Sequence, residues 1–260
     1  MAEDARFAYL QARLQARHGD RPAPEEWRLV EAGVDFAHYL EALRHTALQR
    51  WLGDIHAETA PEELERHLRA AWRAHVDELA EQSPEEWRLA IAWLRWLPDL
   101  PAVDHLLRDG KVPAWMRTDP VMREMAFDEP ARRREAIAES PLAPVLPTGP
   151  AHAPSVVDAW AGEWRRRLPQ TSHALHDELV ALGERIRAHL EAMRSSGEPH
   201  GHALRTRLGG QLDRFFRRSA GTAPALFAHL ALDGLELERV RAGLVARRLM
   251  PERAEGRAWA

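Results

Sequence analysis

The segment Ala225–Met250, ALFAHLALDGLELERVRAGLVARRLM, decides the fold class of this chain. Its apolar residues recur at intervals close to the i, i+3, i+4, i+7 pattern of an amphipathic α-helix, and five charged residues lie between them from Asp233 to Arg241. The apolar stripe consists of Leu226, Leu230, Leu237, Val240 and Leu244. The segment therefore predicts one long helix that buries this stripe against other helices.

The remaining sequence is also typical of an all-α protein. Alanine, leucine, arginine and glutamate dominate, and the alternating Val/Ile/Thr runs of β-strands are nearly absent. Pro24, Pro61 and Pro84 are each followed by two glutamates. Proline is favoured at the first helical position, and negative charge in the first turn is favoured by the helix dipole. We therefore predict an all-α, multi-helix fold in which helices begin at these three prolines.

A proline-rich segment predicts the domain organisation. Ser140–Pro154 contains five prolines and one glycine, a composition that disfavours a regular helix. We expect an extended linker over residues 140–155 between an N-terminal helical region, 1–139, and a C-terminal helical region, 156–260. Within the C-terminal region a polar loop is expected at Ser195–Gly201.

The hexapeptide PEEWRL occurs twice, at Pro24–Leu29 and at Pro84–Leu89. One interpretation is an internal duplication of a helical hairpin, which would give repeated helical subdomains. The other is that two unrelated helices begin with the same capping chemistry. The sequence leaves both interpretations open.

Composition excludes several classes of protein. The absence of cysteine excludes disulfides and thiolate sites and fits a reducing cytoplasm. The first residues, MAEDARFAYLQAR, lack the apolar core of a signal peptide, and no apolar run is long enough to span a bilayer. A net charge of −4 disfavours nucleic acid as the partner. We expect a soluble cytoplasmic protein that can still bind a membrane complex peripherally.

No motif predicts catalysis or a cofactor. The phosphate-binding loops and the G-x-S-x-G nucleophile motif do not occur. The best local metal candidate is the run His173, His176, Asp177 and Glu178, which lacks a third ligand of defined geometry. His200 and His202 fall in the expected polar loop. We therefore predict no catalytic residue, cofactor or metal, and a helical metal-binding enzyme that uses histidines and carboxylates is the alternative.

A basic stretch with aromatic residues precedes the final helix. Its members are Arg205, Arg207, Arg214, Arg217 and Arg218, together with Phe215 and Phe216. Three interpretations fit: a solvated helix face with its aromatics in the core, a basic surface for an acidic protein partner, or an RNA-binding surface that combines charge with stacking.

Short motifs near both ends of the chain resemble one known family. They are Tyr9-Leu-Gln-Ala12-Arg13, Leu40–Thr46, and Glu236-x-x-Arg239-Val240-Arg241. Together they resemble the central-stalk adaptor of rotary V-type and A-type ATPases, a family with both prokaryotic and eukaryotic members. That family carries Tyr-x-x-Ala-Arg early and Glu-x-x-Asn-Leu-Arg late, so Arg239 stands where asparagine is usual. The chain resembles a divergent and shortened member.

The resemblance implies a non-catalytic role. Family members have repeated helical subdomains around a funnel and couple the soluble central stalk to the membrane rotor ring during ion or proton transport. The implied partners are stalk and rotor-ring subunits, and the implied location is peripheral at the inner membrane. The implied packing or docking residues are Tyr9, Arg13, Glu236, Arg239 and Arg241. An unrelated helical scaffold or regulator is the alternative within the same class.

Overall fold

The computed structural model describes residues 2–108, 110–146, 155–195 and 198–249, and it confirms the predicted all-α, multi-helix class. No strand occurs among these residues. The helices are α1 (Ala2–Gly19), α2 (Pro24–Glu31), α3 (Phe36–Arg44), α4 (Pro61–Gln82), α5 (Glu85–Trp93), α6 (Leu100–Leu107), α7 (Ala114–Thr118), α8 (Pro130–Ala138), α9 (Val156–Arg167), α10 (His173–Ser195), α11 (Glu198–Arg218) and α12 (Ala223–Leu249). Short 3-10 helices lie at Ala47–Trp51, Leu94–Asp99, Met122–Glu124 and Ala143–Val145. Within the described residues, none of the helices has both the length and the apolar character that a membrane span requires.

The helix starts follow the predicted chemistry closely. α2 and α4 begin at Pro24 and Pro61, each with two glutamates in the first turn. α5 begins at Glu85, one residue after the predicted proline. The hydroxyl of Ser155 accepts a hydrogen bond from the backbone N–H of Asp158 and so caps α9. These local signals are strong because they satisfy backbone donors that would otherwise have no partner.

The chain forms two compact units that do not follow the predicted boundaries. The first unit combines the described residues up to Pro84 with those from Arg205 onward, and the second contains residues between Glu85 and Leu204. The prediction of separate regions 1–139 and 156–260 differs from this arrangement. The physical reason is that α12 packs against α1, α3 and α4, while α9 packs against α5, α6 and α10.

Two segments that were expected to lack regular structure contain helix. Ser140–Leu146 includes the 3-10 turn Ala143–Val145, and the side chains of Leu142 and Val145 are buried, so this part is not an extended linker. Residues 147–154 lie outside the described part of the chain. The polar loop predicted at Ser195–Gly201 is also wrong, because α11 already begins at Glu198. Pro199 fits the first turn of that helix, where a missing N–H costs nothing.

The core of the first unit is built around α12. All five members of its predicted apolar stripe are buried, which confirms the amphipathic interpretation. The indole rings of Trp51 and Trp72 stack nearby with centroids 6.4 Å apart. Gly243 faces the ring of buried Tyr39 so closely that a Cβ there would overlap it. α12 therefore approaches α3 at a position where only glycine fits.

The core of the second unit is rich in tryptophan. Trp93, Trp160 and Trp164 are buried, and Trp93 Nε1 donates a 3.0 Å hydrogen bond to the carbonyl of Trp160. A Cβ on Gly183 would lie 2.7 Å from Trp164 Cζ3, so the glycine lets α10 pack tightly against α9. The high tryptophan content is thus used for packing, as large aromatic side chains commonly are.

Candidate functional site

The most unusual feature of the first unit is a group of buried and half-buried charged and histidine side chains that meet at one face of α12. We call it the ionic cluster, and its members are Arg21, Arg50, His75, His229, Asp233 and Glu236. Arg21 follows α1, Arg50 lies in the 3-10 helix Ala47–Trp51, and His75 belongs to α4. The cluster therefore joins four segments of the chain at one place.

Two arginines bridge the two carboxylates of α12. Arg21 donates to Asp233 and, from Nη1, to Glu236 Oε1 at 2.7 Å. Arg50 Nη2 donates to Asp233 Oδ1 at 2.8 Å and to Glu236 Oε2 at 2.5 Å. Asp233 is 0% exposed, and burial of an ion is tolerated only when its charge is paired and hydrogen-bonded. Each arginine thus ties an N-terminal segment to the centre of α12.

Two histidines complete the surroundings of Asp233. His75 Nε2 forms a 2.7 Å hydrogen bond with Asp233 Oδ2. His229, one turn before Asp233 on the same helix, places Nε2 3.3 Å from that oxygen, but neither of its ring nitrogens makes a hydrogen bond. The imidazole of His229 is therefore held in place by packing.

The surroundings shift the pKa values of the cluster in different directions. Burial by itself would raise the pKa of Asp233, but His229, Arg21 and His75 hold it well below its usual range. Burial is the largest influence on Glu236 and raises its pKa despite Arg21 and Arg50. Burial also lowers the pKa of His229 to about 3. The folded protein therefore keeps Asp233 ionised and His229 neutral near pH 7.

A cavity of about 570 Å³ adjoins the cluster in the first unit. Its charged lining side chains include Arg17, Arg50, Glu78 and Glu236, and small alanines of α4 leave the space open. The volume is within the range of ligand sites, and an Asp–His pair can orient a general base. However, Arg17 is paired with Glu78 and Arg50 with Glu236, and no hydroxyl or thiol nucleophile occurs among the described residues that line it. These ion pairs connect α1 to α4 and the 3-10 helix Ala47–Trp51 to α12.

The residues of the Glu236-x-x-Arg239-Val240-Arg241 motif point to different partners. Arg239 forms a two-point ion pair with Glu31, at 2.7 and 2.8 Å, and its guanidinium lies 4.0 Å from the ring centroid of Trp27. Arg241 pairs with Glu65 at 2.8 Å. The motif therefore connects α12 to α2 and α4 instead of forming one site. Arg239 reaches Glu31 with a side chain much longer than the asparagine usual in the resembled family.

The N-terminal motif residues have separate environments. Arg13 Nη2 donates to Glu78 Oε1 at 2.9 Å, and Arg17 shares the same carboxylate, so both connect α1 to α4. Tyr9 is 65% exposed and contributes nothing to the core. Arg13 is thus a packing residue, whereas the Tyr9 ring is available at the surface.

The basic stretch divides into inward and outward residues. Arg205 turns toward α12 and lies 3.6 Å from Glu238. Phe215 and Phe216 are 5% and 0% exposed. The outward arginines are Arg207, Arg214, Arg217 and Arg218. The aromatic rings are therefore unavailable for stacking on bases.

The histidine-rich positions do not converge as metal donors. Among the described residues, no group of three or more His, Asp or Glu side chains is arranged to hold a metal ion. His173 and His176 lie on α10, and His202 lies on α11 instead of in the predicted loop. The side chain of His200 lies outside the described part of the chain.

The sequence analysis did not predict the ionic cluster, although the sequence of α12 contains an indication of it. The apolar stripe of α12 skips from Leu230 to Leu237, and Asp233 occupies the intervening position on the same face. A charged residue inside an apolar stripe indicates a buried ion that requires partners. Those partners, Arg21 and Arg50, are more than 180 residues away in the sequence, so spacing alone cannot identify them.

Comparison with known proteins identifies no relative of this chain. No protein-family model matches the chain, and searches of curated proteins and of solved structures find no match. The resemblance described above therefore rests on its short motifs, and the function has to be argued from this chain's own geometry.

The neutral state of His229 predicts a specific dependence of stability on pH. Because its folded pKa of about 3 lies below the ordinary histidine value of 6.5, the unfolded chain takes up a proton first as the pH falls. Stability is therefore present near neutral pH and is lost toward acid. Between pH 7 and 4.5 the free energy of unfolding should decrease in wild type. In the variant His229→Leu this decrease should be smaller by about 2–3 kcal/mol.

Urea unfolding at several pH values would measure this effect. His45→Leu is the matched control, because His45 lies in the same unit with a side chain that is 76% exposed. The control should follow the wild-type pH profile. Asp233 and Glu236 keep their surroundings in the control, so His45→Leu shows the pH profile of a variant that leaves the ionic cluster intact. Identical slopes for wild type and His229→Leu would contradict the prediction.

Proposed function

We propose that this protein is a non-catalytic helical adaptor, a divergent and shortened counterpart of the central-stalk subunit that couples the soluble stalk of a V-type or A-type ATPase to its membrane rotor ring. Its partners are stalk and rotor-ring subunits, and it acts in ion or proton transport from a peripheral, cytoplasmic position at the inner membrane. It uses no cofactor. The motifs that resemble the family supply the specific form of this proposal.

One observation carries the proposal: Glu236, Arg239 and Arg241 of the α12 motif are all engaged in ion pairs with N-terminal segments. Glu236 pairs with Arg21 and Arg50, Arg239 with Glu31, and Arg241 with Glu65. Groups that already hold charged partners are poorly suited to donate or remove protons from a substrate. They are well suited to fix a long helix in a rigid frame.

Rigidity is the property that a coupling element requires. α12 contains 27 residues and is therefore about 40 Å long. Ion pairs connect it at several points to α2, to α4, to the 3-10 helix Ala47–Trp51 and to Arg21. Interactions that hold such a helix in one geometry let force applied at one end reach the other with little bending. This reasoning also fits an unrelated helical scaffold, which is the second form of the proposal.

Co-purification from the native source tests the specific form. Tagged protein isolated in mild detergent should bring down rotor-ring and stalk subunits, identified by mass spectrometry, in amounts comparable with its own. The tag alone, expressed in the same cells, is the control. Absence of these subunits would contradict the ATPase assignment and leave the scaffold. Metal analysis of the purified protein separates both forms from the metalloenzyme alternative, since a stoichiometric metal would contradict an adaptor.

A further inference from the structure

The exposed side of α11 carries an unusual concentration of positive charge. Between Arg205 and Gly221 the chain has five arginines and one aspartate, although the whole protein has a net charge of −4. Arg207, Arg214 and Arg218 follow one another at intervals of seven and four residues, which places them on one side of the helix. This stretch therefore has a local net charge of +4, opposite in sign to that of the whole protein.

The described part of the chain offers these arginines few partners. Arg207 and Arg214 form no ion pair with the described residues, and Arg218 only lies over the Phe215 ring, 5.2 Å from its centroid. Arg217 pairs with Asp213 at 2.5 Å on the same helix. By contrast, Arg205 is turned inward toward Glu238. Since exposed arginines elsewhere commonly pair within a turn, the free guanidinium groups indicate an external partner.

We infer that this face, formed by Arg207, Gly210, Arg214, Arg217 and Arg218 and here called the arginine face, binds an acidic helix of a protein partner. The inference rests on the proposed adaptor function and names the chemistry of one of its contacts. The guanidinium group can bind a carboxylate through two parallel hydrogen bonds, which lysine cannot do. A carboxylate-bearing helix therefore complements this surface in both charge and geometry.

The dimensions of the arginine face fit a helix. From Arg207 to Arg218 it extends about 16 Å, or three turns. Gly210 lies between Arg207 and Arg214, and a Cβ placed there would meet only the Arg214 guanidinium, at 3.7 Å. The absence of a side chain at this point leaves space beside the Arg214 guanidinium. One helix that carries acidic residues every third or fourth position can engage all of them.

Two other anionic partners fit the arginine face less well. Single-stranded RNA requires aromatic rings on which bases can stack, and Phe215 and Phe216 are buried. An anionic membrane surface favours apolar side chains that insert beside the charges. The outward positions of the arginine face contain arginine and glycine and no large apolar residue. Charge and side-chain composition together favour a protein.

A binding experiment with defined probes tests the inference. The probe is a fluorescent, alanine-rich helical peptide with glutamates at every third or fourth position, measured by anisotropy at several salt concentrations. Polyuridylate RNA and phosphatidylserine vesicles are parallel probes. The triple variant Arg207→Glu, Arg214→Glu and Arg218→Glu should bind the peptide at least about tenfold more weakly.

The matched control makes the same change of charge elsewhere. Arg28, Arg108 and Arg166 are exposed by 71%, 66% and 68%, so their replacement by glutamate should leave peptide binding within about twofold of wild type. Circular dichroism verifies that both triple variants are folded. Equal losses in the two variants, or tighter binding of RNA or vesicles than of peptide, would overturn the inference.

Co-purification of the same variants separates this inference from the proposed function. Loss of stalk or ring subunits by the arginine-face variant, but not by the control, supports both. Retention of these subunits by the arginine-face variant overturns the inference and leaves the adaptor assignment intact. If wild type retains none of them while the peptide still binds through the arginine face, the ATPase assignment fails and the inference stands.

Discussion

Replacement of Asp233 by asparagine is expected to lower the free energy of unfolding of the first unit by about 3–5 kcal/mol. The carboxylate is fully buried and accepts hydrogen bonds from Arg21 and Arg50. Asparagine keeps the shape but removes the charge, so two cations near the core lose part of their compensation. Urea unfolding followed by tryptophan fluorescence measures the effect, because Trp51 and Trp72 lie in this unit.

A surface carboxylate provides the comparison for Asp233. Glu25 pairs with Arg28 in the same unit, and both side chains are largely exposed. Glu25→Gln should change the unfolding free energy by less than about 1 kcal/mol, because exposed ion pairs contribute little in water. Similar small losses for both substitutions would show that solvent reaches Asp233 and that the ionic cluster does not stabilise the fold.

The second large effect is expected from Leu237→Asp, with a loss of about 3–5 kcal/mol. Leu237 belongs to the apolar stripe of α12 and is 6% exposed, so the substitution would bury a charge without a partner. Leu249→Asp places the same residue in the same helix at a position that is 57% exposed. Thermal unfolding should separate the melting temperatures of the two variants by roughly 6–20 degrees. Equal melting temperatures would show that this stripe is not a core surface.

Local features of this fold could be predicted because they depend on neighbouring residues. The prolines that start α2 and α4 act within one helical turn, and the stripe of α12 repeats within its own sequence. The division into units could not be predicted, because it depends on which helices α12 and α9 meet. The extended linker predicted from the proline-rich segment was also wrong because its structure depends on packing. Proline ends α-helices but is compatible with the 3-10 turn at Ala143–Val145, which packing then stabilises.

The candidate site was predicted only in part. Glu236, Arg239 and Arg241 were expected to be packing or docking residues, and the structure places all three in ion pairs between distant segments. Asp233, which is more deeply buried than any of them, belongs to no motif. Its partners depend on long-range geometry that short spacings do not contain. A charged residue within an apolar stripe is therefore more informative about such a site than the spacing of a short motif, although it does not identify the residues that pair with it.

The first unit is formed from two parts of the chain that the second unit separates, and this arrangement has a consequence for its biosynthesis. Arg21 and Arg50 leave the ribosome early, but Asp233 and Glu236 follow only after the whole second unit has been translated. At roughly 5–20 residues per second, this delay is on the order of ten seconds. Until then the apolar faces of α1, α3 and α4 have no α12 to cover them. The second unit can therefore fold on the nascent chain, whereas the core of the first unit is complete only after α12 has been synthesised.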